Sequence, residues 1–72
     1  MNGRQAALGG RLLRLRSAAG LEAGEVADAA GLDRAFYGRV ETGAFAPDRL
    51  TYLDVLRLAE VLDVPPAAVL AD

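Results

Sequence analysis

Apolar residues recur at helical spacing along most of the chain, in blocks separated by glycines and prolines. In the first block Leu8, Leu12, Leu15 and Ala19 step by four, three and four residues, which places them on one face of an amphipathic helix. Arg11, Arg14 and Ser17 fall mostly elsewhere around it. Gly20 ends this block, and Leu21 packs back against it. Inside the block, Gly9-Gly10 costs helix stability relative to alanine. Either the helix starts only at about residue 9, or the glycines let another element pack closely. Residues 1–7 are polar and small, and are expected to be flexible.

Residues 23–42 form the stretch around which the other blocks are arranged. Val26 and Ala30 are four apart and share one face of a second helix, over 23–30; Tyr37 and Val40 are three apart and share one face of a third, over 34–42. Between them lies Gly31-Leu32-Asp33. Gly31 can take the left-handed conformation that closes a helix, and Asp33 can accept from the free amides that open the next. Ala27 is small where two helices would cross steeply. Two short helices joined by so tight a turn match the helix-turn-helix unit. The plainer alternative is two helices of an ordinary small bundle. The second helix has a weak start, since Glu22 is a poor cap although its charge suits a helix N-terminus. Gly43 closes the third helix.

Residues 44–50, including Pro47, read as a loop. Thr51, followed three residues later by Asp54, resembles a capping box with a shortened acid. It opens a fourth helix over 52–62 whose apolar face is Val55, Leu58, Ala59 and Leu62. Asp63-Val64-Pro65-Pro66 breaks that helix, and Pro66 suits the first position of a short fifth helix ending near residue 71. There is no strand-like alternation, repeat or low-complexity tract. The expectation is one all-α domain of five helices.

Composition narrows what such a domain can do. Seventy-two residues are near the lower limit for unaided folding, but 53% are apolar, enough for a compact core. Cysteine and histidine are both absent, which removes disulfides, thiolate chemistry and the two commonest zinc ligands. No metal or cofactor is expected. An enzyme is disfavoured as well: the ten carboxylates scatter over caps and solvated positions, and Ser17 has no base in view. No run is long enough to span a membrane and no signal peptide is evident, so a cytoplasmic location is expected. The net charge is −2 and the pI about 4.9, which limits any non-specific attraction to phosphate. All eight basic residues are arginines, each capable of bidentate hydrogen bonding.

Taken together, Leu8-Gly9, Leu12, Leu15-Arg16, Gly20-Leu21, Val26-Ala27, Gly31-Leu32, Asp33-Arg34, Val40-Glu41, Gly43, Pro47, Leu58-Ala59, Leu62 and Val64 resemble the Cro/repressor type of helix-turn-helix domain, the XRE family of bacterial and phage regulators. The likeness extends over about residues 8–70. Leu32-Asp33-Arg34-Ala35-Phe36 is similar, more narrowly, to restriction-modification controller proteins. The resemblance implies a third helix that enters the major groove of double-stranded DNA. Arg34, Ala35, Gly38 and Arg39 then face base edges, and either arginine can pair bidentately with guanine. Ala23, Phe36 and Thr42 fall where backbone or sugar is touched. Phe36 has an equal claim to ordinary packing, and for Arg34 and Arg39 the plain alternative is solvated surface charge. Arg16 and Glu41 match a structural, partly buried ion pair between the first and third helices.

The chain also departs from that pattern. Glu22-Ala23 stands where Ser-Gln usually contacts phosphate, the loop after Gly43 carries charge only at its end, and Gly38 replaces a polar reader. The segment 47–59 is about two residues longer than is usual. DNA binding with few phosphate contacts per subunit follows, so that a homodimer on an inverted repeat is needed. Once the core face of the fourth helix is assigned, Tyr52, Leu53, Leu56, Val69 and Leu70 remain as candidates for that dimer interface, or they complete a small core. The leading expectation is a dimeric repressor or controller in the bacterial cytoplasm, at the nucleoid. The rival is a protein-interaction module that keeps the fold and binds DNA weakly or not at all.

Overall fold

Five helices form where the apolar periodicity and the caps place them. The computed structural model describes residues 3–46 and 48–70, with α1 at Gly3–Ala18, α2 at Ala23–Ala29, α3 at Arg34–Thr42, α4 at Tyr52–Leu62 and α5 at Pro66–Leu70. Residues 1 and 2, Pro47 and the last two residues, where the fifth helix was expected to end, lie outside this description. No strand occurs among the described residues, and none of their helices is long and apolar enough to cross a membrane.

The helix ends show how the chain turns so often in so few residues. At Gly31 the backbone has φ 72°, Leu32 N–H reaches Ala27 O at 2.8 Å, and Gly31 N–H reaches Asp28 O at 3.2 Å. This is the paired closure that satisfies the last carbonyls of a helix with one left-handed residue. The same two bonds close α1 at Gly20, α3 at Gly43 and α4 at Asp63, which takes φ 56° without being glycine. At the starts, Asp33 accepts from Phe36 N–H at 2.9 Å. Thr51 and Asp54 exchange both bonds of a capping box at 3.0 and 3.1 Å. The weak start expected for α2 is reinforced from within, because Glu25 reaches back to accept from Glu22 N–H at 2.9 Å.

The two readings of Gly9-Gly10 are now separated. α1 begins at Gly3, well before residue 9, so the glycines do not delimit it and residues 3–7 are helical. Gly9 is buried against α3: a Cβ there would lie 2.3 Å from the Glu41 carbonyl oxygen and 2.5 Å from that of Val40. The absence of a side chain at Gly9 therefore lets α1 lie directly against the backbone of α3. Gly10 meets only the end of the Arg14 side chain. Arg11 Nε donates to Val69 O at 2.8 Å, and the Gln5 side-chain amide donates to Phe45 O, which ties α1 to α5 and to the loop after α3.

The core contains Leu12 of α1, Val26, Ala27 and Ala30 around α2, Tyr37 and Val40 of α3, Val55, Leu58, Ala59 and Leu62 of α4, and Val69 of α5. Of the two readings of Val69, dimer interface or core, full burial of its side chain within one chain decides for the core, which it closes between α1 and α4. Tyr52, Leu53, Leu56 and Leu70 stay exposed.

Candidate nucleic-acid interface

The turn at Gly31 and the Asp33 cap fix which side of α3 faces outward. Tyr37 and Val40 point into the core, which leaves Arg34, Ala35, Gly38, Arg39 and Thr42 on the opposite side at helical spacing. Arg34, Ala35, Arg39 and Thr42 are exposed, and a Cβ added at Gly38 would meet no heavy atom within 4 Å. The result is a shallow surface with an arginine toward each end and small residues between. Such a surface can approach a groove floor closely and offers forked donors to acceptor pairs.

The two arginines are held differently. Arg34 lies across the turn from α2 and is paired side-on with Asp28, Nε to Oδ1 at 2.9 Å and Nη2 to Oδ2 at 2.5 Å. Its guanidinium rests over Gly24, where a Cβ would come within 3.1 Å of Cζ and Nη1. Both partners remain open to solvent, with 68% and 56% of their side chains exposed. The hydrogen bond from Arg34 holds the Asp28 carboxyl below its ordinary pKa. The Arg39 guanidinium makes no hydrogen bond or ion pair among the described residues.

A third arginine joins them that sequence reasoning did not single out. Arg49 folds back from the loop so that Cζ stands 6.0 Å from the centre of the Phe36 ring, at the reach of a cation–π contact. Phe36, Arg39, Ala44, Phe45, Ala46 and Arg49 line a hollow of about 180 Å³ beside α3. Phe36 itself is half-buried, packed on the core and faced by Arg49, which agrees with the packing role considered for it. The only sequence signal was an arginine at the end of the loop, and the fold-back over α3 has no local signature.

Thr42 and Ala23, the other two positions expected at the DNA backbone, have different surroundings. The Thr42 hydroxyl donates to Arg39 O at 3.0 Å, within its own helix. Ala23 is partly buried at a helix start flanked by the carboxylates of Glu22 and Glu25, a poor setting for phosphate.

Behind α3, Arg16 and Glu41 meet as the resemblance implied. Arg16 Nε lies 2.6 Å from Glu41 Oε2 and Nη2 lies 3.0 Å from Oε1, while Nη1 donates to Leu21 O at 3.2 Å. Only 19% and 10% of the two side chains are exposed. The bond to Glu41 raises the Arg16 pKa further, so the pair stays charged and locks α1 to the end of α3. Beside it the Tyr37 side chain is fully buried, with no hydrogen-bond partner for its hydroxyl among the described residues. Burial pushes this phenol well above its usual pKa; the neighbouring Glu41 charge adds to the effect and Arg16 opposes it.

Comparison with known proteins agrees with this geometry. Residues 7–71 match the family described as "Helix-turn-helix domain". Among solved structures, the chain is similar to the restriction-modification controller protein C.AhdI from Aeromonas hydrophila, with 34% identity and a TM-score of 0.86 over 94% of this chain and 98% of that one. No curated protein matches the chain.

Proposed function

The chain belongs to the helix-turn-helix domain family, and on that premise we propose that it is a sequence-specific DNA-binding transcriptional regulator. It reads the major groove with α3 and acts as a homodimeric repressor or controller on an inverted repeat. The observation that carries this reading is the outward face of α3, where Arg34 and Arg39 flank Ala35 and Gly38 on an otherwise flat surface. Similarity to a restriction-modification controller over nearly the whole chain supports it. Arg34 and Arg39 read base edges, and Arg49, held on Phe36, contacts phosphate beside them. Arg49 is thus the cation by which the loop after Gly43 reaches the DNA backbone beside α3. The dimer forms through the exposed apolar residues Tyr52, Leu53, Leu56 and Leu70.

Selection of bound sequences from a random duplex pool at low salt, followed by affinity of the winner across a salt series, tests the reading. An enriched inverted repeat is expected. Arg34→Ala or Arg39→Ala should cost about 1–3 kcal/mol and relax the preference at one position per half-site. Arg49→Ala should weaken binding to all duplexes alike and reduce the salt slope by about 0.9 for each subunit bound. A pool that yields no enrichment favours the protein-interaction module instead.

A further inference from the structure

We infer that Asp28, although it belongs to α2 and not to the reading helix, is a specificity-determining positioning residue that presents Arg34 to DNA in one orientation. The inference rests on the DNA-reading function proposed for α3 and adds to it how Arg34 selects its base. A guanidinium carries five N–H donors in a planar fork. Asp28 occupies the side-on edge, taking Nε and one hydrogen of Nη2. Three donors stay available: one hydrogen of Nη1 faces back toward Cδ, and the other hydrogen of Nη1 with the second of Nη2 forms the end-on edge. That edge matches the paired acceptors O6 and N7 of guanine.

Gly24 completes the socket. The guanidinium lies so close over it that a methyl group there would stand 3.1 Å from Cζ and Nη1. Asp28 fixes the fork in its plane and the bare backbone at Gly24 sets its height. An arginine on a free tether samples many orientations and accepts phosphate as readily as a base edge. Held side-on, Arg34 has less freedom to lose on binding guanine, and the carboxylate behind it discourages a slide onto phosphate. This arrangement exchanges general affinity for selectivity, in a protein whose net charge is already −2.

The test repeats selection from the random duplex pool with the wild-type chain and with Asp28→Asn, Gly24→Ala and Arg34→Ala. Asp28 and Arg34 are exposed and Gly24→Ala favours helix, so all three variants should fold. Arg34→Ala identifies the guanine that Arg34 reads. At that position alone, Asp28→Asn and Gly24→Ala should lower the preference for guanine about tenfold, with the other positions unchanged. Asp28→Asn should also bind mismatched duplexes more tightly, whereas Gly24→Ala, which changes no charge, should not. A motif in which Asp28→Asn keeps the full guanine preference, or flattens every position equally, overturns the inference and leaves the DNA-reading function standing. A wild-type chain that enriches nothing overturns both.

Discussion

Tyr37 shows most sharply what one side chain can cost this domain. Its ring fills the centre of the core, yet its buried hydroxyl has no partner among the described residues. A buried polar group left unpaired is destabilising, so Tyr37→Phe, which keeps the ring, should stabilise the fold by about 1 kcal/mol in urea unfolding. The hydroxyl also makes the fold alkali-sensitive. Because burial raises the Tyr37 pKa, the folded chain holds its proton at pH values where the unfolded chain has lost it. The stability this proton carries is complete below the ordinary phenol pKa near 10 and is lost as pH rises from there toward the folded value, by about 1.4 kcal/mol per pH unit. Helix content and phenolate absorbance, followed in a Tyr52→Phe background, should change together above that point. Tyr37→Phe should abolish the effect. Ionisation of Tyr37 while the helices persist would contradict the burial argument.

Among the helices, α2, α3 and α4 were legible in sequence because their signals are local. Asp33, Thr51 with Asp54, and Gly31 and Gly43 each act within a few residues, and the boundaries fall where those residues place them. The start of α1 was not legible, since the reason for Gly9 lies in the carbonyls of α3, about thirty residues away in sequence. Nor was the Asp28–Arg34 pair, which is six residues apart and spans a turn, outside the three- and four-residue spacings that identify pairs on one helix. The place of Arg49 and the choice between core and interface for Val69 are not legible for a related reason: whether a loop folds back, or a short helix buries one residue, is decided by tertiary packing. Two glycine substitutions should separate these cases. Gly9→Ala drives a methyl into α3 backbone and should cost about 3 kcal/mol or more. Gly38→Ala enters open space on a helix and should stabilise the free chain by about 1 kcal/mol, while weakening DNA affinity by narrowing the clearance over the groove. Thermal unfolding and duplex titration report both. A neutral Gly9→Ala would mean that α1 and α3 are not so tightly apposed.

Size limits how far one copy of the chain can reach along DNA. The chain measures 27 × 24 × 20 Å, shorter than the roughly 34 Å between half-sites one helical turn apart. On the proposed reading one copy spans one half-site, and two copies joined away from α3 span both. Tyr52, Leu53, Leu56 and Leu70 are exposed on α4 and α5, not on α3. Leu53→Glu with Leu56→Glu should leave the fold intact, shift sedimentation to the monomer and reduce operator affinity. An unchanged sedimentation coefficient would remove these residues from the interface.

Whether α3 meets DNA is decided by amide shift mapping of the isotope-labelled chain against its selected duplex. The expected result is a cluster of large shifts at Arg34, Ala35, Gly38, Arg39 and Arg49, on the face that Tyr37 and Val40 leave outward. Shifts concentrated on Tyr52, Leu53, Leu56 and Leu70, with α3 unmoved, would contradict it.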